Sequence, residues 1–280
     1  MRLAVITHPN DPRLRTRFGG YLKNSRLFYQ IDAVLLAARW QGLRWFFTDP
    51  EQPFRPADAA FLHVDVSLIP PEYLQLAARY PKTINGLVAD IRKRHVSRNL
   101  VDRTSDWVGQ VLVKSDLNCR GAPERRIALT AAKRSGLARP DLTLPGYQLF
   151  DSIGAVPETV WHDPTRVVER FLPERLGSDH VLRVWSFLGD YERCSWYSAP
   201  DAIIKSGTIS QFGTAEVPQV LRDERKRLGF DYGKFDYAEG PEGPTLFDAN
   251  RTPGIILSRP EMMRLAAPLM GQALLKLMKD

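Results

Sequence analysis

Cysteine is nearly absent from this sequence: Cys119 and Cys194 are the only two among 280 residues, too few for a disulfide framework or a four-ligand zinc site. That scarcity suits a reducing compartment, and the expectation is a cytoplasmic protein. Long apolar runs are lacking as well. No stretch approaches the ~18 uninterrupted apolar residues of a membrane span. The run around Ala33–Ala38 is flanked by Asp32 and Arg39, and the opening Leu3–Ile6 is too short for a signal-peptide core. A Walker P-loop and a Gly-x-Ser-x-Gly elbow are both missing, which disfavours P-loop NTPases and serine hydrolases. Charge is not strongly one-sided: Lys plus Arg is 39, Asp plus Glu is 32, and the formal net charge is +7. The basic residues are scattered among acids with no RNP, zinc-finger or helix-turn-helix pattern, so nucleic acid is not an expected partner. Attraction to an anionic small molecule accounts for the sign. What remains is ordinary: 44% hydrophobic and 25% charged residues describe a globular chain, long enough for two small domains or one domain with lobes.

The first 85 residues alternate strand and helix. Strands are predicted at Leu3–Thr7, Leu43–Phe47 and Ala59–Val66, and helices at Tyr29–Trp40 and Glu72–Arg79, where Ile31, Val34, Leu35 and Ala38 recur at helical spacing. Such an order implies a mostly parallel sheet whose ligand face lies at the carboxyl ends of its strands. After Asn85 the texture changes. A basic helix is expected at Leu87–Val101, a strand at Val111–Lys114, a polar turn to Pro123, and a helix with a surface excursion over Arg125–Pro145. From Arg166 onward the pattern is antiparallel: Arg166–Phe171, His180–Leu188 and Tyr191–Trp196, with hairpin chemistry at Gly189-Asp190. A charged helix at Pro218–Leu228, strands at Asp231–Ala238 and Thr245–Asn250, and a closing helix at Glu261–Met278 complete the chain.

The most specific chemical signal is Asp236 followed, after a turn, by Asp248-Ala-Asn250-Arg-Thr-Pro-Gly254. Alternate side chains of a strand share a face, so Asp248 and Asn250 are expected to point together, with Phe247 and Ala249 opposite, and the hairpin brings Asp236 beside them. Two carboxylates and an amide oxygen form a hard oxygen site suited to Mg2+. Lys114 ends a strand beside a turn, where a cation and free backbone donors can meet phosphate. Glu169 sits in a strand that stops at Pro173, leaving main-chain groups free near Leu172. Arg183 interrupts the apolar strand Val181–Phe187, and an inward arginine there requires either an anion or a carboxylate such as Glu169 or Glu174. Asp65 stands at a strand end, where a capping or loop role is expected ahead of substrate contact; His63 reads as a packed histidine, and Cys119 has no identifiable activating partner.

Taken in that order over Asn85–Gly254, the residues resemble the ATP-grasp superfamily, with residues 1–85 resembling the α/β domain that commonly precedes it. The resemblance implies an N-terminal α/β domain (1–85), a first ATP-grasp lobe (86–165) and a second lobe carrying the metal site (166–280). It further implies ATP and Mg2+ as cofactors, with Asp236, Asp248 and Asn250 as metal ligands. Lys114 becomes a phosphate or adenine-side contact, Lys93 or Arg94 the second basic contact, Glu169 and Leu172 the adenine hinge, Glu174 the ribose partner and Arg183 a phosphate clamp. Glutamate is usual in that family where Asp248 stands, and the family's glycine-rich loop is reduced here to Cys119-Arg-Gly121. The implied activity is ligation of a small-molecule carboxylate to an amine through an acylphosphate. A kinase on the same scaffold and a nucleotide binder without turnover are the alternatives.

Overall fold

The computed structural model describes residues 1–11, 28–138, 140, 144, 146–204, 208–255 and 260–280. Among them lie three sheets. The first is parallel, with strand order β2–β1–β3–β4, and consists of β1 (Arg2–Ile6), β2 (Arg44–Thr48), β3 (Ala59–Leu62) and β4 (Thr83–Ile84). Its two faces follow from strand parity. Leu3, Val5 and Phe61 pack against α1 (Gln30–Arg39), whereas Ala4, Ile6 and Leu62 pack on the side of α2 (Pro71–Ala77). Helix α1 buries Ile31, Val34, Leu35 and Ala38, as their spacing predicts. The Asp32 carboxylate accepts a bond from the Tyr29 amide at 2.7 Å, satisfying a donor just before the first turn.

The expected basic helix shrinks to α3 (Lys93–Val96). Its upstream residues are committed elsewhere: the Ile91 amide donates to Ser67 O, Ala89 O accepts from the Ile69 amide, and Asp90 turns the chain by accepting from the Arg92 amide at 2.9 Å. The second sheet, of order β6–β5–β7, contains β5 (Val111–Ser115), β6 (Gln148–Phe150) and β7 (Arg166–Arg170). Between β5 and β6 runs α4 (Ala122–Ser135), which starts three residues before the expected Arg125 and stops where Gly136 adopts a left-handed φ of 67°, handing over to the expected excursion. Residues 139, 141–143 and 145 of that segment lie outside the described residues. A short helix α5 (Glu158–Trp161) precedes β7.

The third sheet is antiparallel, of order β11–β10–β9–β12–β13 with β8 also paired to β9. Its strands are β8 (Glu174–Leu176), β9 (Asp179–Leu188), β10 (Tyr191–Ala199), β11 (Gln211–Thr214), β12 (Tyr232–Gly240) and β13 (Gly243–Asn250). One face buries Trp185, Phe187 and Phe235 against Leu221 of α6 (Gln219–Arg227) and the Val88–Val96 segment. A fully buried aromatic such as Phe235 contributes roughly 1.5–3 kcal/mol, so this face anchors the sheet and leaves the other for chemistry. The closing helix α7 (Pro260–Leu277) returns to α1: Met270, Ala273 and Leu274 share a core with Val34, Leu35 and Ala38. No helix among the described residues is long and apolar enough to cross a membrane.

Candidate active site

One register irregularity shapes the site. Asp236 pairs with Asp248, yet the next residue, Tyr237, pairs with Leu246, so Phe247 is an extra residue in β13. This bulge breaks simple alternation. Leu246 and Ala249 both enter the core, and Phe247 lines the same cavity as Asp248, not the opposite face expected from parity. The Phe247 carbonyl is taken by Lys114, whose Nζ donates to it at 2.9 Å.

That cavity, of about 200 Å³, lies between the β5–β7 sheet and the β12–β13 hairpin. It brings together Lys93, Lys114, Glu169, Asp236 and Asp248, which the sequence singled out from five separate places. Lys114 Nζ also pairs with Glu169 Oε2 at 2.7 Å, with both side chains almost fully buried. The other oxygen, Glu169 Oε1, is buried without a partner. Lys93 pairs with Asp248 Oδ1, while Arg94 turns away to Asp116, with Nε at 2.6 Å from Oδ2. The geometry thus favours Lys93 over Arg94 as the basic residue of the cavity. Lys234, which lies two residues before Asp236 and therefore on its face, donates to Asp236 Oδ2 at 2.8 Å. Reading the sequence missed Lys234, although period two signals it.

Electrostatics in this cluster are strongly mutual. Burial opposes the charge on Lys93, but the Asp248 carboxylate outweighs it and holds the ammonium above its ordinary pKa. Burial likewise opposes ionisation of Asp248, and Lys93, Lys234 and Lys114 outweigh it, leaving that carboxyl below the usual range. Asp236 moves the other way: burial dominates, the like charge of Asp248 adds to it, and the pKa is raised despite Lys234. Cys119 is exposed, but protein packed about its thiol, then the charge of Asp248, pushes its pKa up to about 11. Neutral pH therefore leaves it a thiol, since the nearby charges of Lys234 and Lys93 do not offset burial and Asp248. Its own backbone is unusual, since Cys119, Arg120 and Gly121 all take left-handed φ values of 47°, 61° and 83°. Two consecutive non-glycine residues in that region cost roughly 1–3 kcal/mol each, strain stored in the loop that follows β5.

The remaining expected residues are placed elsewhere. Asn250 is the ladder partner of Lys234, but its Oδ1 accepts from the Thr252 amide at 2.8 Å, capping the turn after β13. Leu172 lines a separate cleft with Arg98 and Pro244, although its neighbours Phe171 and Pro173 line the cavity. Arg183 does not reach the cavity. It pairs across the β9–β12 ladder with Tyr237, on the face opposite Asp236. There it holds Glu174 through two nitrogens, Nε at 2.9 Å from Oε2 and Nη2 at 2.8 Å from Oε1, and meets Glu239 at 3.3 Å. The clamp and the ribose partner expected of Arg183 and Glu174 are thus each other's partners, because register sets them on the wrong face.

Asp236 and Asp248 fit Mg2+ in a limited way. They stand directly opposite on adjacent strands, and Asp236 Oδ1 is a buried oxygen without a partner. Among the described residues no group of three or more His, Cys, Asp or Glu could hold a metal. Two carboxylates suit an ion that completes its shell with water and phosphate oxygens, rather than one caged by protein alone.

Two further features join the first sheet to the site. Asp65 accepts from Tyr29 Oη at 2.6 Å, from Arg126 Nη2 at 2.5 Å and from Thr252 Oγ1 at 2.6 Å, so it is a network centre and not a cap. Arg251, fully buried, donates to Val88 O at 2.6 Å and Val64 O at 3.2 Å, and its burial pushes the guanidinium pKa down to about 10. His63 is fully buried among the rings of Tyr29, Phe61 and Tyr232.

No model of a known family matches the sequence, and no curated protein matches it. Solved structures do. The chain is similar to the D-cycloserine synthetase DcsG, at 13% identity and TM-score 0.52 over 99% of this chain and 100% of the other. It is similar to the ATP-grasp ligase PsnB complexed with a precursor variant, Mg and ADP, at 11% identity and TM-score 0.57 over 99% and 98%. A third likeness is the macrocyclase MdnC from Microcystis aeruginosa, bound with its precursor peptide MdnA, at 10% identity and TM-score 0.51 over 99% of each chain. Aligned over nearly the whole length of these structures, the chain shares their fold, that of the ATP-grasp ligase PsnB among them.

Proposed function

We propose that this protein is an ATP-dependent ligase that activates a carboxylate as an acylphosphate and passes it to an amine. The observation that carries the reading is the convergence of Lys93, Lys114, Glu169, Asp236 and Asp248 on one cavity. In this reading residues 86–165 and 166–280 supply the two walls of a nucleotide cleft, and residues 1–85 an adjoining α/β domain. Lys114 has three ammonium donors, and its bonds to Glu169 and Phe247 leave one for phosphate; Lys93 retains two beyond Asp248. Glu169 Oε1, buried and unpartnered, is positioned to accept a donor such as an adenine amino group.

Asp236 and Asp248 would hold Mg2+, which when bound supplies charge neutralisation at the phosphates. The reacting carboxylate oxygen attacks the γ-phosphorus, the bond to the β,γ-bridging oxygen breaks, and ADP leaves. The amine then forms the acyl–nitrogen bond as phosphate departs with the C–O electron pair and a proton passes to solvent. Lys234, held against Asp236, faces the developing phosphate charge from the side of the sheet. The enclosed walls protect the acylphosphate from water.

Incubation with ATP, Mg2+, a panel of carboxylic acids and hydroxylamine tests this. A ligase releases ADP and yields hydroxamate in an acid-dependent way, and Lys114→Ala raises the ATP concentration that both products require by at least about tenfold. A stable phosphoester in place of hydroxamate identifies a kinase, and nucleotide binding with neither product refutes turnover.

A further inference from the structure

A second cavity, of about 190 Å³, lies on the same sheet face as the first, between β9, β10, β12 and helix α7. Register explains its floor. Arg193 pairs with Ser186, Ser186 with Lys234 and Lys234 with Asn250, so these four residues form one row across four strands. The adjacent row is Ser195, Val184, Asp236 and Asp248. Lys234 lines the second cavity and Asp236 the first, so their ion pair is the shared boundary.

The roof is apolar, with Met262, Met263 and Met270 from α7. Arg193 is half-buried beneath it, and its guanidinium makes no hydrogen bond or ion pair with any described residue. Two arginines packed on the opposite face have carboxylate partners: Arg183 holds Glu174, and Arg222 holds Glu192. A partly desolvated guanidinium without a carboxylate is costly, and its planar donors suit a carboxylate bidentately.

We propose that this cavity receives the acid substrate, a compact monocarboxylate with an apolar body whose carboxylate sits between Arg193 and Lys234. The assignment rests on the ligase reading and extends it to the class of acid. A cavity of ~150 Å³ holds benzene, so the volume here suits an acid of about eight to ten non-hydrogen atoms. Methionine side chains, flexible and polarizable, accommodate such bodies without demanding one shape. The carboxylate would then lie one row, about 6–7 Å along the strands, from Asp236 and the nucleotide cavity.

The chain has five methionines, three of them in this roof, so 13C-methyl methionine labelling reports the cavity directly while Met1 and Met278 serve as controls. Hexanoate, benzoate and hexanamide are titrated with and without a non-hydrolysable ATP analogue and Mg2+. The two acids should shift the Met262, Met263 and Met270 signals saturably, at least tenfold more tightly than the amide. Arg193→Met should erase that preference without weakening amide binding, and Arg193→Lys should restore part of it. Equal affinity for acid and amide, wild-type acid affinity in Arg193→Met, or no methionine response to any acid overturns the assignment. Calorimetry with ATP and Mg2+ separates the two readings. Nucleotide binding without a methionine response removes the cavity assignment alone, whereas selective acid binding without nucleotide binding supports the cavity's preference and removes the ligase reading.

Discussion

Arg183→Met isolates the consequence of sheet parity. The substitution keeps the aliphatic stem against its neighbours and deletes the guanidinium that holds Glu174 and reaches Glu239. The pair is neither exposed nor sealed, with side-chain exposures of 19% and 13% for Arg183 and Glu174. Exposed pairs contribute about 0–1 kcal/mol and breaking a buried pair costs about 3–5, so a loss of about 2 kcal/mol is expected. Glu174 retains one donor, the Glu239 amide at 2.7 Å, which limits the penalty. For a chain of this size that loss lowers Tm by about 4–8 °C. Because the guanidinium lies on the face opposite Asp236, kcat in the acid-dependent ADP-release assay should change by less than about twofold. Thermal unfolding and steady-state kinetics on the same preparation decide the matter. An unchanged Tm beside a tenfold fall in kcat would refute the structural role and return Arg183 to the phosphate.

Other perturbations reach the site itself. Lys114→Ala removes a charge-assisted phosphate contact worth about 1.5–3 kcal/mol, so calorimetry should show ATP binding weakened by at least tenfold; unchanged affinity would exclude it from the nucleotide site. Asp248→Asn strips the buried Lys93 of its carboxylate and should cost about 3 kcal/mol in urea unfolding as well as Mg2+-dependent turnover. The lowered pKa of Asp248 makes its stabilisation complete above the ordinary carboxylate pKa of about 4 and lost as pH falls through its depressed value; the pH dependence of unfolding should flatten correspondingly in Asp248→Asn. With its pKa raised from 9.0 to about 11, Cys119 should be alkylated by iodoacetamide about 100-fold more slowly than an ordinary thiol at pH 7.5, gaining rate up to pH 11; mass spectrometry reads this directly, and fast labelling at neutral pH would contradict the packing around the thiol.

Much of this site is legible in sequence because it depends on local pattern. Asp236 and Asp248 face each other because a tight turn at Gly240–Gly243 fixes the hairpin, and turn chemistry is visible in Glu239-Gly-Pro-Glu-Gly-Pro244. Lys114 reaches the cavity because β5 ends where it was expected to end, within one residue. What stayed hidden depends on pairing between distant segments. Nothing in Val181–Phe187 says that Arg183 will oppose Tyr237 and so leave the site, and a shift of one residue would have reversed its face. The bulge at Phe247 is equally invisible, since it is defined only against β12. Arg251 follows the most conspicuous motif in the chain, yet its burial comes with backbone carbonyls 187 and 163 residues upstream, at Val64 and Val88.

The packing of α7 onto α1 sets an order in time. Met270 and Leu274 complete the core over Val34, Leu35 and Ala38, and Gly271 lies so close that an added methyl would meet the Ala38 backbone at 3.3 Å. During synthesis, at roughly 5–20 residues per second, helix α1 therefore emerges with its α7-facing side uncovered for some ten to fifty seconds. The first sheet can pair early and cover the other side of α1, but this side stays open to solvent and to other chains until residue 274 has left the ribosome. A nascent chain arrested before α7 should accordingly remain protease-sensitive at α1.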